Sequence, residues 1–274
     1  MSRRVLRERT VLISGAAGGL GSALCAQFAK AGARIAALDR DEERLFALAH
    51  GLRTQGAQVL VLPADVTDPG QCREAVEATC DSFGGLDVLV NNAGISHRSL
   101  LANTDPTVIR RIVEVNFFGA LHLTHAALPG VLARRGAIVA VSSVAGFAPL
   151  TGRTGYCASK HALHGFFDSL RSEIEADGVD VMLVCPSFIR TGIGAAASGG
   201  DGAAVRTPRL TTGGESSPEQ VACAIVNALV KRRRLLLPDA TARKAWWLSR
   251  IAPGLYTRIM RRRLGAEFAS RQAG

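Results

Sequence analysis

Apolar and polar positions change period repeatedly along this chain. Short, almost wholly apolar runs occur at Val11–Ser14, Arg34–Leu38, Val59–Pro63, Val88–Val90, Ala137–Val141, Val179–Cys185 and Leu235–Leu237. Runs of this length, bounded by glycine and polar residues, predict strands buried on both faces. Between them, Leu20–Ala31, Glu42–Thr54 and Ala158–Ala176 set apolar residues three and four apart, the spacing of a helix with one buried face. Strand–helix alternation calls for a parallel sheet, because each parallel crossover needs a helix to return the chain. Right-handed crossovers then leave a single doubly wound α/β domain as the expected fold, with seven parallel strands and helices on both faces.

Two segments break the rhythm. Residues Gly192–Gly214 are dense in Gly, Ala, Ser and Thr. A patternless stretch of that length in a compact domain reads as either a mobile substrate lid, about residues 190–217, or a disordered segment. Past residue 238 the composition changes. Ala242–Ala252 reads as a helix carrying Trp246, Trp247, Leu248 and Ile251, Pro253-Gly254 interrupts it, and Leu255–Leu264 predicts a second helix. The chain therefore divides into a domain at 1–238 and a basic amphipathic extension at 239–274.

At 274 residues, 47% hydrophobic and 20% charged, the chain can bury a real core, which excludes disorder and fibrous classes. The net charge of +10 is local: Lys231–Gly274 holds 12 basic and 2 acidic residues, while residues 1–230 are balanced. No nucleic acid is expected on the body, and a nucleic-acid function would have to work through the tail alone. Amphipathic helices with Trp and many arginines also lie on anionic lipid, so peripheral membrane contact is a second expectation for the tail. The competing expectation is that its apolar positions cover a substrate pocket or a neighbouring subunit, with the arginines at the rim. Six cysteines without a CxxC pair fit reduced thiols in a cytoplasmic protein. The pairs His122/His125 and His161/His164 show no third ligand, so no metal is expected. Arginines 3, 4, 7 and 9 before an apolar stretch resemble a signal peptide, but the glycines in that stretch have a better reading. No run of 18 apolar residues predicts a membrane-spanning helix.

The first strand runs into Ser14-Gly15-Ala16-Ala17-Gly18-Gly19-Leu20-Gly21 and then a helix. Glycines at 15, 19 and 21 allow a tight turn and close approach to a pyrophosphate, which the helix N-terminus attracts with unpaired N–H groups. The second strand ends at Asp39, where a carboxylate accepts ribose hydroxyls and repels a 2′-phosphate, favouring NAD over NADP. Arg40 argues the other way, since its guanidinium can hold that phosphate.

The glycine spacing is G-x-x-x-G-x-G. It is followed in order by Asp65-Val66, Asn91-Asn92-Ala93-Gly94, Asn116, Ser142-Ser143, Tyr156-Cys157-Ala158-Ser159-Lys160 and Pro186 to Thr191. On these motifs the chain resembles the short-chain dehydrogenase/reductase family from about residue 9 to about residue 238. Ser159 to Phe167 resembles its hydroxysteroid-dehydrogenase-like branch and bacterial relatives. Ser14 stands where that family has Thr, and Ser187 where it usually has Gly. The resemblance implies a Rossmann fold, an NAD(P) cofactor and interconversion of a secondary alcohol and a ketone. It also implies a homodimer or homotetramer. Gly15, Gly19, Leu20, Gly21, Asp39 and Arg40 would hold the cofactor's phosphate and ribose side. Asp65 and Val66 would meet the adenine, Asn91, Asn92, Ala93 and Gly94 the adenosine side, and Pro186, Ile189 and Thr191 the carboxamide. Ser143 would hydrogen-bond the reacting oxygen, and Asn116 would support a water relay to Lys160. A catalytically silent NAD-binding regulator is the rival on the same fold, and it predicts damage to this set.

Tyr156 and Lys160 are four apart, so on a helix they share a face. A phenol with an ordinary pKa near ~10 is a poor base, and a neighbouring ammonium lowers that value. Tyr156 can then exchange a proton with an alcohol or ketone. Ile95–His97, Val144–Tyr156 and the segment from Phe188 are the candidate pocket walls. Phe147, Pro149, Leu150 and Phe188 make an apolar pocket the expectation, with Arg153 or Arg190 as the available carboxylate grips. Leu163, Phe166, Phe167, Leu170 and Ile174 exceed what one sheet face needs, which points to a subunit contact.

Overall fold

The structure, a computed structural model, describes residues 3–191, 197–205, 211 and 214–269, apart from the side chains of 266, 267 and 269. Seven strands form one parallel sheet: β1 (Thr10–Ser14), β2 (Arg34–Asp39), β3 (Val59–Pro63), β4 (Val88–Asn91), β5 (Ala137–Val141), β6 (Asp180–Val184) and β7 (Leu235–Leu236). Their order is β3-β2-β1-β4-β5-β6-β7. The helices are α1 (Gly19–Lys30), α2 (Glu42–Arg53), α3 (Pro69–Phe83), α4 (Pro106–Val113), α5 (Gly119–Ala133), α6 (Thr154–Ile174), α7 (Pro218–Val230), α8 (Ala240–Ile251) and α9 (Pro253–Ala269).

Local sequence sets several boundaries. Asp68 caps α3 by accepting from the Gly70 and Gln71 N–H groups, Pro69 occupies its first turn, and Gly84 ends it in a left-handed conformation. Ser217 and Gln220 form a reciprocal capping box at the start of α7. Along β1, β2, β4 and β5, alternate residues face opposite layers. Val11, Ile13, Ile35, Val88 and Val90 pack with α1 and α7. Leu12, Ala36, Leu38, Leu89 and Ile138 pack with α3, α5 and α6. Phe28 and Phe167 are fully buried in opposite layers. Truncating either to Ala costs about 3–5 kcal/mol by the usual core scale.

Residues 106–133 form one continuous helical segment, with a π-helical turn at Glu114–Phe118 between α4 and α5. By length and composition it could cross a membrane. Its apolar residues have another use, since Leu123, Ala127 and Val131 are fully buried against the sheet.

The surplus of apolar residues on α6 is absorbed within the chain. Leu163, Phe167, Leu170 and Ile174 are buried in the core, and Phe166 packs edge-on against Phe117 and Phe167. They leave no apolar excess from which to read a subunit contact, so that argument for oligomerisation falls. Of the expected lid, residues 192–196, 206–210 and 212–213 lie outside the described residues. The described part is tied down: Ser198 accepts from Arg98 N–H and donates from its own N–H to Ser96 O, and Ser216 pairs with Phe188 and Arg190. The two expected tail helices are α8 and α9, with Pro253 in the first turn of the second. They form a third apolar cluster in which Ala242, Ala245, Tyr256, Met260 and Leu264 pack on Val144 and Ala148. The strand order reverses between β1 and β4, which opens a crevice at the carboxyl ends of the strands.

Candidate active site

A cleft of about 750 Å³ occupies that crevice. One end is built by the β1–α1 loop and the ends of β2 and β3. Gly15, Gly19, Leu20 and Gly21 line it, as do Asp39, Arg40, Asp65, Val66, Asn92, Ala93 and Gly94. Gly21 is sterically required, because a Cβ there would fall 2.0 Å from the Gly15 carbonyl oxygen. Asp39 is fixed from two sides: its Oδ2 accepts from Ala17 N–H at 2.9 Å and its Oδ1 from Asp41 N–H at 3.1 Å. The carboxylate is thus anchored to the glycine loop while facing the cleft. Ser14 joins the two loops at the strand reversal. Its Oγ accepts from the backbone N–H groups of Asn92 at 3.0 Å and Ala93 at 3.1 Å. Asn92 reciprocates, donating from Nδ2 to the carbonyls of Ser14 at 2.9 Å and Gly15 at 3.1 Å. Asp65 Oδ1 accepts from the Thr67 N–H and hydroxyl, both at 2.9 Å.

The other end lies over β5 and α6. Ser143, Tyr156 and Lys160 line the cleft there with Pro186, Ile189 and Thr191. Ser143 opens the turn after β5, and its Oγ accepts from Ala145 N–H at 3.2 Å. Helix α6 starts at Thr154, four residues before the apolar period begins, which puts Tyr156 in its first turn with Lys160 one turn on. The Lys160 ammonium donates to Val141 O at 2.9 Å and lies 5.8 Å from the Tyr156 ring centre. Lys160 is 4% exposed, and burial pushes its pKa down to about 8. Asn116 does not line the cleft. The π-helical turn aims it inward, where Oδ1 accepts from Ile95 N–H at 2.8 Å. Its Nδ2 donates to Ile95 O at 3.0 Å and Ser159 Oγ at 2.9 Å. Gly94 sits between Asn116 and the cleft, since a Cβ on it would be 3.2 Å from Asn116 Oδ1 and 3.6 Å from Lys160 Nζ.

The extension closes this end from above. Ala245, Leu248, Tyr256, Ile259 and Met260 line the cleft together with Val144, Leu150 and Phe188. Arg98 and Arg153, both buried, line the same wall, and Lys244 and Arg263 reach it from the extension.

The chain matches the short chain dehydrogenase family over residues 9–200. It is 38% identical over 279 residues to dehydrogenase/reductase SDR family member 7B of Bos taurus, spanning 99% of this chain and 86% of that protein. It is 37% identical over 267 residues to a dehydrogenase/reductase SDR family protein 7-like of Anopheles gambiae, spanning 95% and 84%. A crystal structure of a short-chain dehydrogenase/reductase from Burkholderia phymatum in complex with NAD superposes with a TM-score of 0.78 at 26% identity, covering 88% of this chain and 93% of that one. The chain is a short-chain dehydrogenase/reductase.

Within this dehydrogenase/reductase, several expected residues stand elsewhere. Asn91 points away from the cleft into the core, donating to Thr124 Oγ1 at 2.9 Å. Phe147 faces His164 and Trp246, Pro149 and Arg190 are exposed, and His97 is fully buried behind the wall. Ser142 serves the scaffold: it contacts His164 Nε2 at 3.1 Å and donates to Lys160 O at 3.3 Å. His164 and His97 are both pushed down to about 4, mainly by burial, so both rings are neutral. The apolar tail residues mostly meet the competing expectation, covering the pocket. Sequence reasoning passed over the partner of Ser187, the residue in place of the family's usual Gly. Ser187 donates from N–H and Oγ to the Asp239 carboxylate at 3.0 and 2.7 Å. The available signal was Pro238-Asp239-Ala240-Thr241, a helix N-cap pattern.

Proposed function

We propose that this dehydrogenase/reductase interconverts a secondary alcohol and a ketone, with NAD preferred to NADP, on a lipophilic substrate. One observation carries the reading. A single cleft joins a glycine loop and an anchored carboxylate at one end to Ser143, Tyr156 and a buried Lys160 at the other. The glycine cradle, Asp39 and Asp65 fit the adenosine and pyrophosphate of a dinucleotide. Ile189, Thr191 and Lys160 fit its nicotinamide end. When bound, the nicotinamide ring gives or takes the hydride. The chain's own part is proton transfer and orientation. Tyr156 gives its O–H proton to a ketone oxygen, or takes one from an alcohol. The Lys160 ammonium favours the phenolate left behind. Ser143 Oγ, which accepts from Ala145, keeps its own proton to donate to the reacting oxygen. Asn116 holds the Ile95 backbone and α6 in register, and the presence of the complete set weighs against a silent regulator.

The test is a panel of secondary alcohols and ketones of rising chain length, steroids, polyols and acid-bearing lipids, assayed with NAD(H) and NADP(H). The acid-bearing arm is included because Arg98 and Arg153 line the wall. Turnover confined to polyols overturns the lipophilic reading, and no turnover on any arm overturns the reaction.

Cofactor preference rests on Asp39. Arg40 is exposed, and Arg44 lies 4.0 Å from Asp41 Oδ2, so the nearest fixed charge at the β2 end is the Asp39 carboxylate. Asp39→Ala removes the repulsion of a 2′-phosphate, and the NAD:NADP ratio of kcat/KM falls by about ten-fold, an effect of about 1.4 kcal/mol. A wild type that already prefers NADP overturns this assignment in favour of Arg40.

A second reading concerns where the protein works. Trp247, Ile251 and Leu255 are 62%, 76% and 48% exposed at the corner between α8 and α9. Arg243, Arg250, Arg258, Arg261 and Arg262 are exposed on the same two helices. This outer edge suits an anionic lipid surface. Co-sedimentation with anionic vesicles, lost in a Trp247→Ser/Ile251→Ser double variant, is the expected result. Equal binding to neutral vesicles, or none, removes the reading, and salt-sensitive retention on DNA replaces it with the nucleic-acid alternative.

A further inference from the structure

The loop after β6 and the extension meet at one carboxylate. Asp239 Oδ2 accepts from Ser187 N–H at 3.0 Å, and Oδ1 accepts from the Ser187 hydroxyl at 2.7 Å. The same Oδ1 accepts from Ala242 N–H at 2.8 Å, which makes Asp239 the N-cap of α8. Three donors on one half-buried carboxylate form a strong, directional joint, because hydrogen bonds to a charged acceptor are about twice as strong as neutral ones. What the joint connects gives it meaning. On one side, Ser187 sits between Pro186 and Phe188 on the strip that continues to Ile189 and Thr191, all five on the cleft wall. On the other side, α8 and α9 are the roof over Tyr156. The roof also rests on the turn after Ser143, with Ala242, Ala245, Tyr256 and Met260 against Val144 and Ala148, and with Phe147 meeting Trp246 edge-on and the Arg250 guanidinium 5.5 Å from its ring centre. Apolar packing gives attraction without register. The Asp239 joint is the hydrogen-bonded tie that sets α8 relative to the strip at the reacting end.

We infer that Asp239 is a positioning residue, which through Ser187 couples the nicotinamide-side strip to the α8–α9 roof and so fits the roof to the substrate once the dinucleotide is bound. This rests on the functional reading above for which ligand fills the strip. A Gly at 187 could keep the N–H bond but could not make the hydroxyl bond. The serine is therefore the residue that doubles the joint, and its hydroxyl is dispensable for folding because it lies on a half-exposed loop. The dinucleotide end at Asp39 and the glycine loop touches neither partner, so loss of the joint leaves most cofactor contacts intact.

The experiment uses the full chain with Ser187→Gly, Ser187→Ala, Asp239→Ala and Asp239→Asn. Hydrogen exchange of residues 240–264 is followed with and without NADH. In the wild type, NADH slows exchange across α8 and α9. In Asp239→Ala, and by a smaller margin in Ser187→Ala, NADH binds with affinity within about two-fold of wild type but no longer protects the roof. KM for the longest substrate that turns over rises about ten-fold in Asp239→Ala and about three-fold in Ser187→Ala, while in Asp239→Ala kcat for a short secondary alcohol stays within about two-fold. Asp239→Asn keeps the N-cap but presents an amide N–H where the carboxylate accepted, so it restores the helix without restoring the KM. The coupling is overturned if NADH protects the roof equally in wild type and Ser187→Ala, or if short and long substrates lose equally. Should Asp239→Ala unfold, the two Ser187 variants decide the matter. Should no alcohol turn over, the exchange readout still tests the joint, and only the functional reading fails.

Discussion

Tyr156→Phe lowers turnover by about 10³-fold while NADH affinity stays within about two-fold of wild type. The substitution removes one hydroxyl and leaves the ring in place beside Lys160 Nζ. The expected loss is large because, among the described residues, the other phenol lining the cleft, Tyr256, is held in its neutral form by burial, which pushes its pKa up. His164 is held neutral at about 4 and faces Ser142 and Cys185 rather than the cleft. His97, also near 4, lies outside the cleft lining. Ser143 Oγ accepts from the Ala145 N–H. Lys160 is spent on Val141 O. Single-turnover kinetics with bound NADH, set beside calorimetric cofactor affinity, separates proton transfer from binding. Residual turnover above about a tenth of wild type removes Tyr156 from the role of acid and base.

The fold was legible because its signals are local and redundant. Each strand is a short apolar run, and all seven observed strands start and end within one residue of those runs. Most of the cleft was legible for a related reason: the glycine loop, Asp39, Ser143 and the Tyr156–Lys160 pair each lie where an element ends or begins, so placing the elements places the residues. The failures came where a side chain's direction, rather than its position, decides its use. Asn91 and Asn92 are neighbours at the end of β4, yet strand alternation turns one into the core and the other onto the glycine loop. Leu163, Phe167, Leu170 and Ile174 looked surplus because the depth of the α6 contact with the sheet is not written in their spacing. The tail sequence predicts two helices, but its apolar residues could equally face lipid, a partner or the cleft. Only tertiary packing assigned Leu248, Tyr256 and Met260 inward and Trp247 and Ile251 outward. The Ser187–Asp239 joint spans 52 residues of sequence, and nothing local to either residue announces the other.

Lys160→Met should abolish most turnover and at the same time raise the melting temperature near neutral pH. The sign follows from the folded-state pKa. Burial lowers Lys160 from its ordinary 10.5 to about 8, so the folded chain holds that proton less tightly than the unfolded chain does. Below about pH 8 both states are charged, and the full cost of burying the ammonium opposes folding. Between about 8 and 10.5 the folded state has already given up the proton while the unfolded state still binds it, so wild-type stability rises with pH. The cost at neutral pH is on the order of 3 kcal/mol, and Met recovers part of it while leaving Val141 O without its donor, for a net gain on the order of 1–2 kcal/mol. For a domain of this size that is a few degrees in Tm. The difference between Lys160→Met and wild type should therefore be largest below pH 8 and shrink as pH approaches 10.5. The same titration bears on activity, since the ammonium that favours the Tyr156 phenolate is lost as pH rises through about 8 in the cofactor-free enzyme. Calorimetric melting of both proteins between pH 6 and about 10.5, over the window in which an unperturbed lysine also titrates, checks the claim. A variant that melts lower than wild type at pH 7, or by an amount independent of pH, would show that the buried ammonium is stabilised in place rather than kept there at a cost to the fold.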